Sequence, residues 1–256
     1  MRADTDAMNP FAMDSAPSFP FPSPPVWGRS LPAFGGAGVY LPSAAPEATG
    51  GDQGRSEGAI HTLHPLGFQG SMVFASAPPV QGAKLHLASG LLRALARLNP
   101  RWTGTEGNAL TLCSSTLGAP FLLVGDRLGP SLSFSHGKGR LWAAMSGRGN
   151  VGIDVADPEE FAGAYPFHRA FSAGELECAE ALCTNERARG AALMWAAKEA
   201  SVKATGAGFN LFDPLEVRLG TPLVREQWIL FDVLVDRPVS VWVRPEGRGW
   251  LSVASA

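Results

Sequence analysis

The sequence predicts an α+β protein in which helices cover antiparallel sheets. Two long segments have apolar residues at helical spacing, around residues 85–99 and 185–206. Short segments that alternate or run apolar lie around them, bounded by Gly and Pro, as is typical of strands joined by turns. Strand, helix and strand again follow one another in both 70–150 and 150–256, although no sequence repeat is strong enough to prove an internal duplication.

The first part of the chain differs in composition from the rest. Nine of the 21 prolines lie in the first 50 residues, together with many Ser, Ala and Gly. Proline removes a backbone donor, and no helical or strand period is present, so we interpret residues 1–58 as a mostly disordered or loosely docked tail. We expect an N-terminal half at 59–150 and a C-terminal half at 151–256 to follow it.

The N-terminal half is predicted to begin with a strand and a helix. The strand is SMVFAS, and the helix is LHLASGLLRALARLN, which ends just before Pro100. Four further strands are predicted from their alternation or apolar runs between turns: ALTLCSS, PSLSFSH, RLWAAMS and NVGIDVA.

The C-terminal half is predicted to be helical first and to end in a sheet. PEEFAGA is read as helical, and SAGELECAEALC begins with Ser172 and Glu175 in a capping-box arrangement. A long helix then begins with Asn185 as its N-cap and ends at Gly206. Four strand candidates close the chain: PLEVRL, QWILFDVLV, VSVWVR and GWLSVAS.

Composition and charge exclude several classes of protein. The formal net charge of -2 argues against a general nucleic-acid binder, which would need a large excess of Lys and Arg. Cys113, Cys178 and Cys183 form neither a CxxC pair nor an even disulfide framework, which favours a reducing compartment. Prolines interrupt the acidic N-terminus, and no uninterrupted apolar run is long enough for a membrane helix. We therefore expect a soluble cytoplasmic protein without a signal peptide or membrane segment.

The segment WAAKEASVK, Trp195 to Lys203, places three charges in apolar surroundings. On a helix, Glu199 and Lys203 are neighbours one turn apart, and Lys198 lies one step round from Glu199. Such a pair is often only a surface ion pair. Because the neighbouring residues leave little polar face, the alternative is that these charges hold a charged ligand.

The strand NVGIDVA carries one carboxylate, Asp154, among apolar residues. A buried strand rarely tolerates a lone Asp without a counter-charge or a metal. Asp154 and Glu199 could supply hard oxygen ligands to Mg²⁺, which uses one or two carboxylates together with waters and substrate phosphates. The alternative for Asp154 is a cap at the end of the strand.

A third segment, LSFSHGKGRLW, places Ser135 and His136 where a strand ends at a glycine turn. No acidic residue lies between Asp126 and Asp154. Hydroxyl, imidazole and backbone N–H groups in a positive surrounding suit a phosphate oxygen, although a Ser-His pair is also common in ordinary turns. The basic residues of this region are Arg127, Lys138, Arg140 and Arg148.

Taken in order, four motifs resemble those of the 4'-phosphopantetheinyl transferases, particularly the surfactin-synthetase-activating type. They are SFSHG, VGIDV, AFSAGE and WAAKEASVK, and GAPFL is similar to a fifth element of the family. The resemblance covers about residues 85–220 and implies a pseudo-twofold pair of α+β halves with the active site between them. It also implies transfer of the phosphopantetheine arm of coenzyme A to a serine of an apo acyl or peptidyl carrier protein, with release of 3',5'-ADP. Two contiguous halves in one chain favour a monomer.

The resemblance assigns the metal site and the base. Asp154 and Glu199 would hold Mg²⁺, which supplies a Lewis acid. Glu199 is also the best candidate to take the proton from the attacking serine, directly or through a metal-bound water, provided that it lies within hydrogen-bond reach. Lys203 would neutralise charge on the leaving side of the diphosphate.

The resemblance also assigns the groups that bind coenzyme A. Ser135 and His136 would meet its phosphates, and Lys198 and Lys203 would lie along its pyrophosphate. Arg93, in the first long helix, is the further basic residue that we predict to bind it.

The chain departs from the family pattern at several positions. A second acid usually follows the strand aspartate by two residues, and here that position is Ala156, so that water or Asp157 would replace the missing ligand. The lysine of the fifth element is Ala119. Basic residues near the first helix are sparse, with Lys84 and His86 beside Arg93.

These departures leave a second functional class open. The alternative is a catalytically impaired module of the same fold that binds carrier proteins without modifying them. In either case an acidic carrier needs a basic and apolar surface. We predict Arg187, Arg189 and Phe171 as candidates for it, with a solvated helix start as the alternative.

Overall fold

The computed structural model describes residues 59–64, 71–105, 107–209 and 211–256. The tail that we predicted over residues 1–58 lies outside the described residues. Within them, helices and antiparallel sheets alternate along the chain, which confirms the α+β class.

The helices and strands have the following bounds. The α-helices are α1 (Ala83–Leu98), α2 (Ala173–Leu182) and α3 (Arg187–Ala204). The strands are β1 (His61–Leu63), β2 (Met72–Ala77), β3 (Leu110–Ser114), β4 (Pro120–Val124), β5 (Arg127–Leu128), β6 (Ser131–Gly137), β7 (Arg140–Ser146), β8 (Val151–Ala156), β9 (Arg218–Leu219), β10 (Leu223–Arg225), β11 (Trp228–Leu234), β12 (Pro238–Glu246) and β13 (Gly249–Ser255). Short 3-10 helices cover Pro100–Trp102, Pro158–Phe161 and Phe167–Arg169.

The strands form three antiparallel sheets. The first sheet has the order β1-β2-β7-β6, and the second has the order β10-β11-β12-β13-β8, with β9 beside β11. A small third sheet has the order β3-β4-β5. The strands of the first sheet come from positions 61–146 and those of the second from positions 151–255. The predicted boundary between two halves at residue 150 stays a prediction. Among the described residues, each sheet takes all its strands from one side of this position.

The two large sheets pack face to face, with helices on their outer faces. Alternation along each strand explains this, because successive side chains point to opposite sides. In β2, Val73 belongs to the core under α1, while Phe74 belongs to the core between the sheets. In β8, Ile153 also lies between the sheets, so its neighbour Asp154 points towards α3. The layers are therefore α1, first sheet, second sheet, and α2 with α3.

The helices agree largely with their predicted positions. α1 ends at Leu98, before Pro100, and α2 begins at the predicted capping box, in which Ser172 Oγ accepts from Glu175 N at 3.2 Å. The predicted N-cap of α3 is wrong: Asn185 has a φ of 65° and lies in the preceding turn, and Glu186 is the N-cap. No helix in the described part of the chain is long and apolar enough to cross a membrane.

Two shorter predictions are also corrected. PEEFAGA forms only a 3-10 turn, Pro158–Phe161, because it follows the strand end directly and is too short for a stable α-helix. PLEVRL contributes only Arg218–Leu219 to the second sheet. The short strands β1, β5 and β10 carry too few residues for their alternation to be visible in the sequence.

The two large sheets repeat one topology. In the first sheet, strand β2 leads into α1, and β2 then pairs with β7, which pairs with β6. In the second sheet, β8 leads through α2 into α3, and β8 pairs with β13, which pairs with β12. This shared order agrees with the pseudo-twofold arrangement that the resemblance implied.

Candidate active site

Three charged side chains from two elements meet where β8 faces α3. Lys203 Nζ lies 2.7 Å from Asp154 Oδ1 and 3.1 Å from Glu199 Oε2. Two oxygens that share one hydrogen-bond donor lie within about 6 Å of each other. Asp154 is only 5% exposed, and the other two residues are partly buried. The structure therefore brings two carboxylates and one ammonium group from distant parts of the sequence into a single cluster.

A glycine makes this close approach possible. A Cβ added at Gly152 would lie 1.9 Å from the carbonyl oxygen of Ala200 and 2.7 Å from the nitrogen of Ala204. No larger residue fits there without moving α3 away from β8. Because the helix backbone lies directly on the strand, Glu199 and Lys203 reach the carboxylate two residues after the glycine.

The cluster shifts the pKa of two of its members. Burial raises the pKa of Glu199 above its ordinary value, and the neighbouring Asp154 carboxylate raises it further, while Lys203 acts in the opposite direction. For Lys203, burial lowers the pKa, but the two carboxylates together raise it above its ordinary value. The site thus holds two acids whose charges one lysine compensates only in part.

The donor set of this cluster fits Mg²⁺. Nowhere among the described residues do three His, Cys, Asp or Glu side chains lie together as a metal site. The position of the missing acid, Ala156, is buried, and the Asp157 carboxylate lies 3.4 Å from Lys138 instead. Two carboxylates are nevertheless sufficient for Mg²⁺, because this ion keeps waters and takes further oxygens from phosphates.

Lys203 also borders a wide cleft. The cleft has a volume of about 790 Å³ and lies between the small third sheet, β6 and the turn after α3. None of the described residues that border it carries a carboxylate. Its basic side chains are Lys84, Arg101, His136, Arg148 and Lys203. Such a lining favours an anionic ligand.

Sequence reasoning named Lys84 and Arg148 without placing them together, and it missed Arg101. Lys84 lies in the first turn of α1, Arg101 in the 3-10 turn after it, and Arg148 in the turn between β7 and β8. Only the tertiary structure brings these three elements to one cleft. One available signal was the run GRG, since an Arg between two glycines lies in a turn where backbone and side chain can both reach a ligand.

The two residues of the SH motif have different surroundings. His136 is exposed and borders the cleft. Ser135 is 5% exposed, donates to Asp154 Oδ1 at 2.8 Å and accepts from Val155 N at 3.3 Å. Ser135 does not border the cleft, and its only proton is already donated inside the protein, so this geometry does not favour the predicted contact with coenzyme A.

Lys198 does not lie where we predicted. Its side chain is fully buried, and its ammonium group donates to Ala170 O, Pro214 O and Glu175 Oε2, at 3.0, 2.8 and 3.0 Å. These three bonds use its three protons, and the fully buried side chain does not border the cleft, so the structure does not favour a contact with the pyrophosphate. Lys198 instead ties α3 to the loop before α2 and to the segment near Pro214.

The same network explains the FSAGE motif. Glu175 accepts from the backbone of Ser172 at 2.9 Å and from Lys198. Phe171 is 2% exposed and lies under the Lys198 ammonium, 5.6 Å from it. This motif therefore stabilises the start of α2 and its contact with α3.

Arg93 is also corrected. It lies on the exposed face of α1, where it donates to Ser89 Oγ at 3.3 Å, and it does not border the cleft. In the basic region after Asp126, Arg140 donates to Ser76, and Lys138 donates to the carbonyl of Glu246. Their side chains hold strands together, and the basic region does not act as one patch.

Of the three residues that we predicted for the carrier surface, Phe171 is buried. Arg187 is exposed, although it is paired with Glu180 and lies over the ring of Phe167. Arg189 is partly exposed and lies over the ring of Trp250. A docking role of the two arginines stays a prediction.

Comparison with known proteins agrees with the motifs. A model of the 4'-phosphopantetheinyl transferase superfamily matches residues 150–233. No curated protein matches the sequence. The matched segment begins just before β8 and includes α2 and α3, so it contains every member of the Asp154–Glu199–Lys203 cluster. The match confirms the predicted superfamily for this segment, which is about a third of the chain.

Proposed function

We propose that this protein transfers the 4'-phosphopantetheine group of coenzyme A to a serine of an apo acyl or peptidyl carrier protein, in a Mg²⁺-dependent reaction that releases 3',5'-ADP. Phosphopantetheine transfer in general follows from membership of the superfamily. The metal, the carrier and the leaving product are the proposed parts.

The observation that carries the proposal is the position of the acidic cluster beside the basic cleft. Lys203 belongs to both, since it bonds to the two carboxylates and borders the cleft. A diphosphate in the cleft would thus meet the cationic lining on one side and the metal held by Asp154 and Glu199 on the other. This is the arrangement that displacement at phosphorus needs, because positioning and charge neutralisation dominate its catalysis.

Each residue of the cluster has a role in the proposed reaction. When bound by Asp154 and Glu199, Mg²⁺ supplies a Lewis acid for the diphosphate. The serine oxygen attacks the phosphorus next to the pantetheine arm, and its proton passes to Glu199. The bond from that phosphorus to the bridging oxygen breaks, and its electron pair leaves with 3',5'-ADP.

Lys203 is the residue that we assign to the leaving group. Its ammonium group donates to Asp154 and Glu199 and, at 3.3 Å, to the carbonyl of Ile153. The bond to Ile153 O is the longest of the three, so its replacement by a bond to a phosphate oxygen would cost the least energy. The neighbouring carboxylates raise its pKa and keep it protonated at neutral pH.

The proposal is tested by incubating the full chain with coenzyme A, Mg²⁺ and several apo acyl and peptidyl carrier proteins. We expect the carrier mass to rise by one phosphopantetheine group and 3',5'-ADP to appear in equal amount. Glu199→Gln is the matched control, because it keeps the shape of the side chain and removes its charge.

An unchanged carrier mass would contradict the proposal if coenzyme A still binds in the presence of Mg²⁺. Carrier binding without modification would then support the impaired binding module. The observation that favours this second candidate is Ala156, which leaves two carboxylates where the family usually has three acids.

A further inference from the structure

Strands β6 and β8 are neighbours across the two large sheets, and serine side chains join them. β8 is the edge strand of the second sheet, so every second backbone N–H points away from β13 and needs another partner. Alternate serines of β6 supply that partner through their hydroxyl oxygens. The three bonds run from Val151 N to Ser131 Oγ, from Ile153 N to Ser133 Oγ and from Val155 N to Ser135 Oγ, at 3.0, 3.2 and 3.3 Å.

The close approach of the two strands is visible at the end of β6. A Cβ added at Gly137 would lie 2.8 Å from Cγ1 of Val155. β6 and β8 are therefore in direct contact at this end, with no space for an intervening side chain. The position of β6 thus sets the position of its serines against β8.

Ser135 differs from the other two serines in one respect. In addition to accepting from the backbone, it donates its proton to Asp154 Oδ1 at 2.8 Å. The same oxygen accepts from Lys203 Nζ at 2.7 Å. Two donors from different directions on one oxygen fix the plane of the carboxylate, which would otherwise rotate freely about its last bond.

We propose that Ser135 is a positioning residue that orients the Asp154 carboxylate for the metal and does not contact the phosphates of coenzyme A. This inference rests on the proposed function, since it concerns the metal of that reaction. It separates the two members of the SH motif: His136 faces the ligand, and Ser135 acts through Asp154. Groups that hold a metal ligand in place typically contribute about 10- to 100-fold in metal affinity.

The test measures how Mg²⁺ supports binding of coenzyme A, without reference to transfer. Coenzyme A is titrated by calorimetry at a series of Mg²⁺ concentrations, with the wild type, Ser135→Ala and Ser133→Ala. Ser133→Ala is the control for Mg²⁺ dependence, because it removes the same kind of bond to β8 and leaves Asp154 untouched. Since Ser133 borders the cleft, its coenzyme A affinity is not part of the control. We expect Ser135→Ala to raise the Mg²⁺ concentration for half-maximal binding by about tenfold and to keep the coenzyme A affinity at saturating Mg²⁺ within about twofold. Ser133→Ala should change the Mg²⁺ concentration for half-maximal binding by less than about twofold.

A double variant tests the route through Asp154. Ser135→Ala combined with Asp154→Asn should show the same Mg²⁺ dependence as Asp154→Asn alone. If Ser135→Ala does not fold, Ser135→Cys takes its place, because its thiol keeps the shape but donates only weakly, and the same shift is expected.

Three results would overturn the inference. These are a loss of coenzyme A affinity at saturating Mg²⁺ in Ser135→Ala, an unchanged Mg²⁺ dependence, and an equal effect of Ser133→Ala on the Mg²⁺ dependence. If instead the wild type binds no coenzyme A at any Mg²⁺ concentration, the proposed function itself is wrong. The wild-type titration thus distinguishes the two failures.

Discussion

The two halves of the molecule share a strand order but differ in the helix that each places on its sheet. α1 buries one face, through apolar residues spaced three and four apart, and exposes the opposite face. α3 is buried nearly all round, and half of its buried residues are alanines. A charge on α1, such as Arg93, therefore faces water, whereas a charge on α3 faces protein groups.

This difference explains where the chemistry lies. On α1 a charged residue has no need of a specific partner, because water solvates it. On α3 each buried charge requires partners, and Lys198, Glu199 and Lys203 all have them. Because α3 packs closely on β8, its charged side chains contact protein groups and form a cluster beside the cleft.

The largest expected effect compares equivalent substitutions on the two helices. Glu199→Gln on α3 should lower the transfer rate by about a thousandfold, because it removes the proposed base and a metal ligand. Arg93→Gln on α1 should change the rate by less than about twofold, since Arg93 does not border the cleft. Initial rates by mass spectrometry of the carrier, with circular dichroism of both variants, check this. A tenfold loss in Arg93→Gln would restore Arg93 as a cofactor-binding residue.

The second prediction concerns the two lysines of α3. Lys198→Met should reduce the free energy of unfolding by about 3 kcal/mol, because Glu175 and two carbonyls lose their donor in a buried place. The transfer rate per folded molecule should remain within about threefold, while Lys203→Met should lower it by about a hundredfold. Urea unfolding and transfer rates measured on the same samples test the contrast. Equal losses of rate in the two variants would mean that Lys198 also contacts the substrate.

The third prediction tests the contact that lets α3 lie on β8. Gly152→Ala should destabilise the fold by about 3 kcal/mol, since its Cβ would overlap the Ala200 carbonyl. Gly174→Ala in α2 meets no atom within 4 Å and should instead stabilise the protein by about 0.5 kcal/mol. Thermal unfolding of both variants provides the measurement. A neutral Gly152→Ala would show that the close approach is not needed for the position of Glu199.

The smallest effect is a pH dependence of stability. The pKa of Glu199 is raised in the folded state. The contribution of Glu199 to the free energy of unfolding is therefore fully present below its unfolded pKa and is lost as pH rises through its folded pKa. Without Mg²⁺, Glu199→Gln should therefore be more stable than the wild type at pH 8, by about 1 kcal/mol. The difference should shrink towards acidic pH. Unfolding midpoints from pH 4 to pH 8 check this, and Arg93→Gln should show no such trend.

Much of the fold was predictable because it depends on local patterns. The period of apolar residues placed α1 and α3, Pro100 ended the first helix, and Ser172 with Glu175 marked the start of α2. The motifs also indicated Asp154 and Glu199 correctly as residues that belong together, although they lie 45 positions apart. The misplaced N-cap at Asn185 shows the limit of such patterns, since a turn residue and a cap have the same composition.

The local patterns of the sequence determined the fold class, and its ordered motifs indicated the superfamily and the charged groups of the cluster. The tertiary structure decided which of these groups border the cleft. Periodicity shows that Lys198 and Lys203 point in different directions, and alternation shows the same for Ser135 and His136, but neither shows which direction leads to the cleft. That depends on which neighbour covers each face of a helix or strand, and contacts between distant segments determine it.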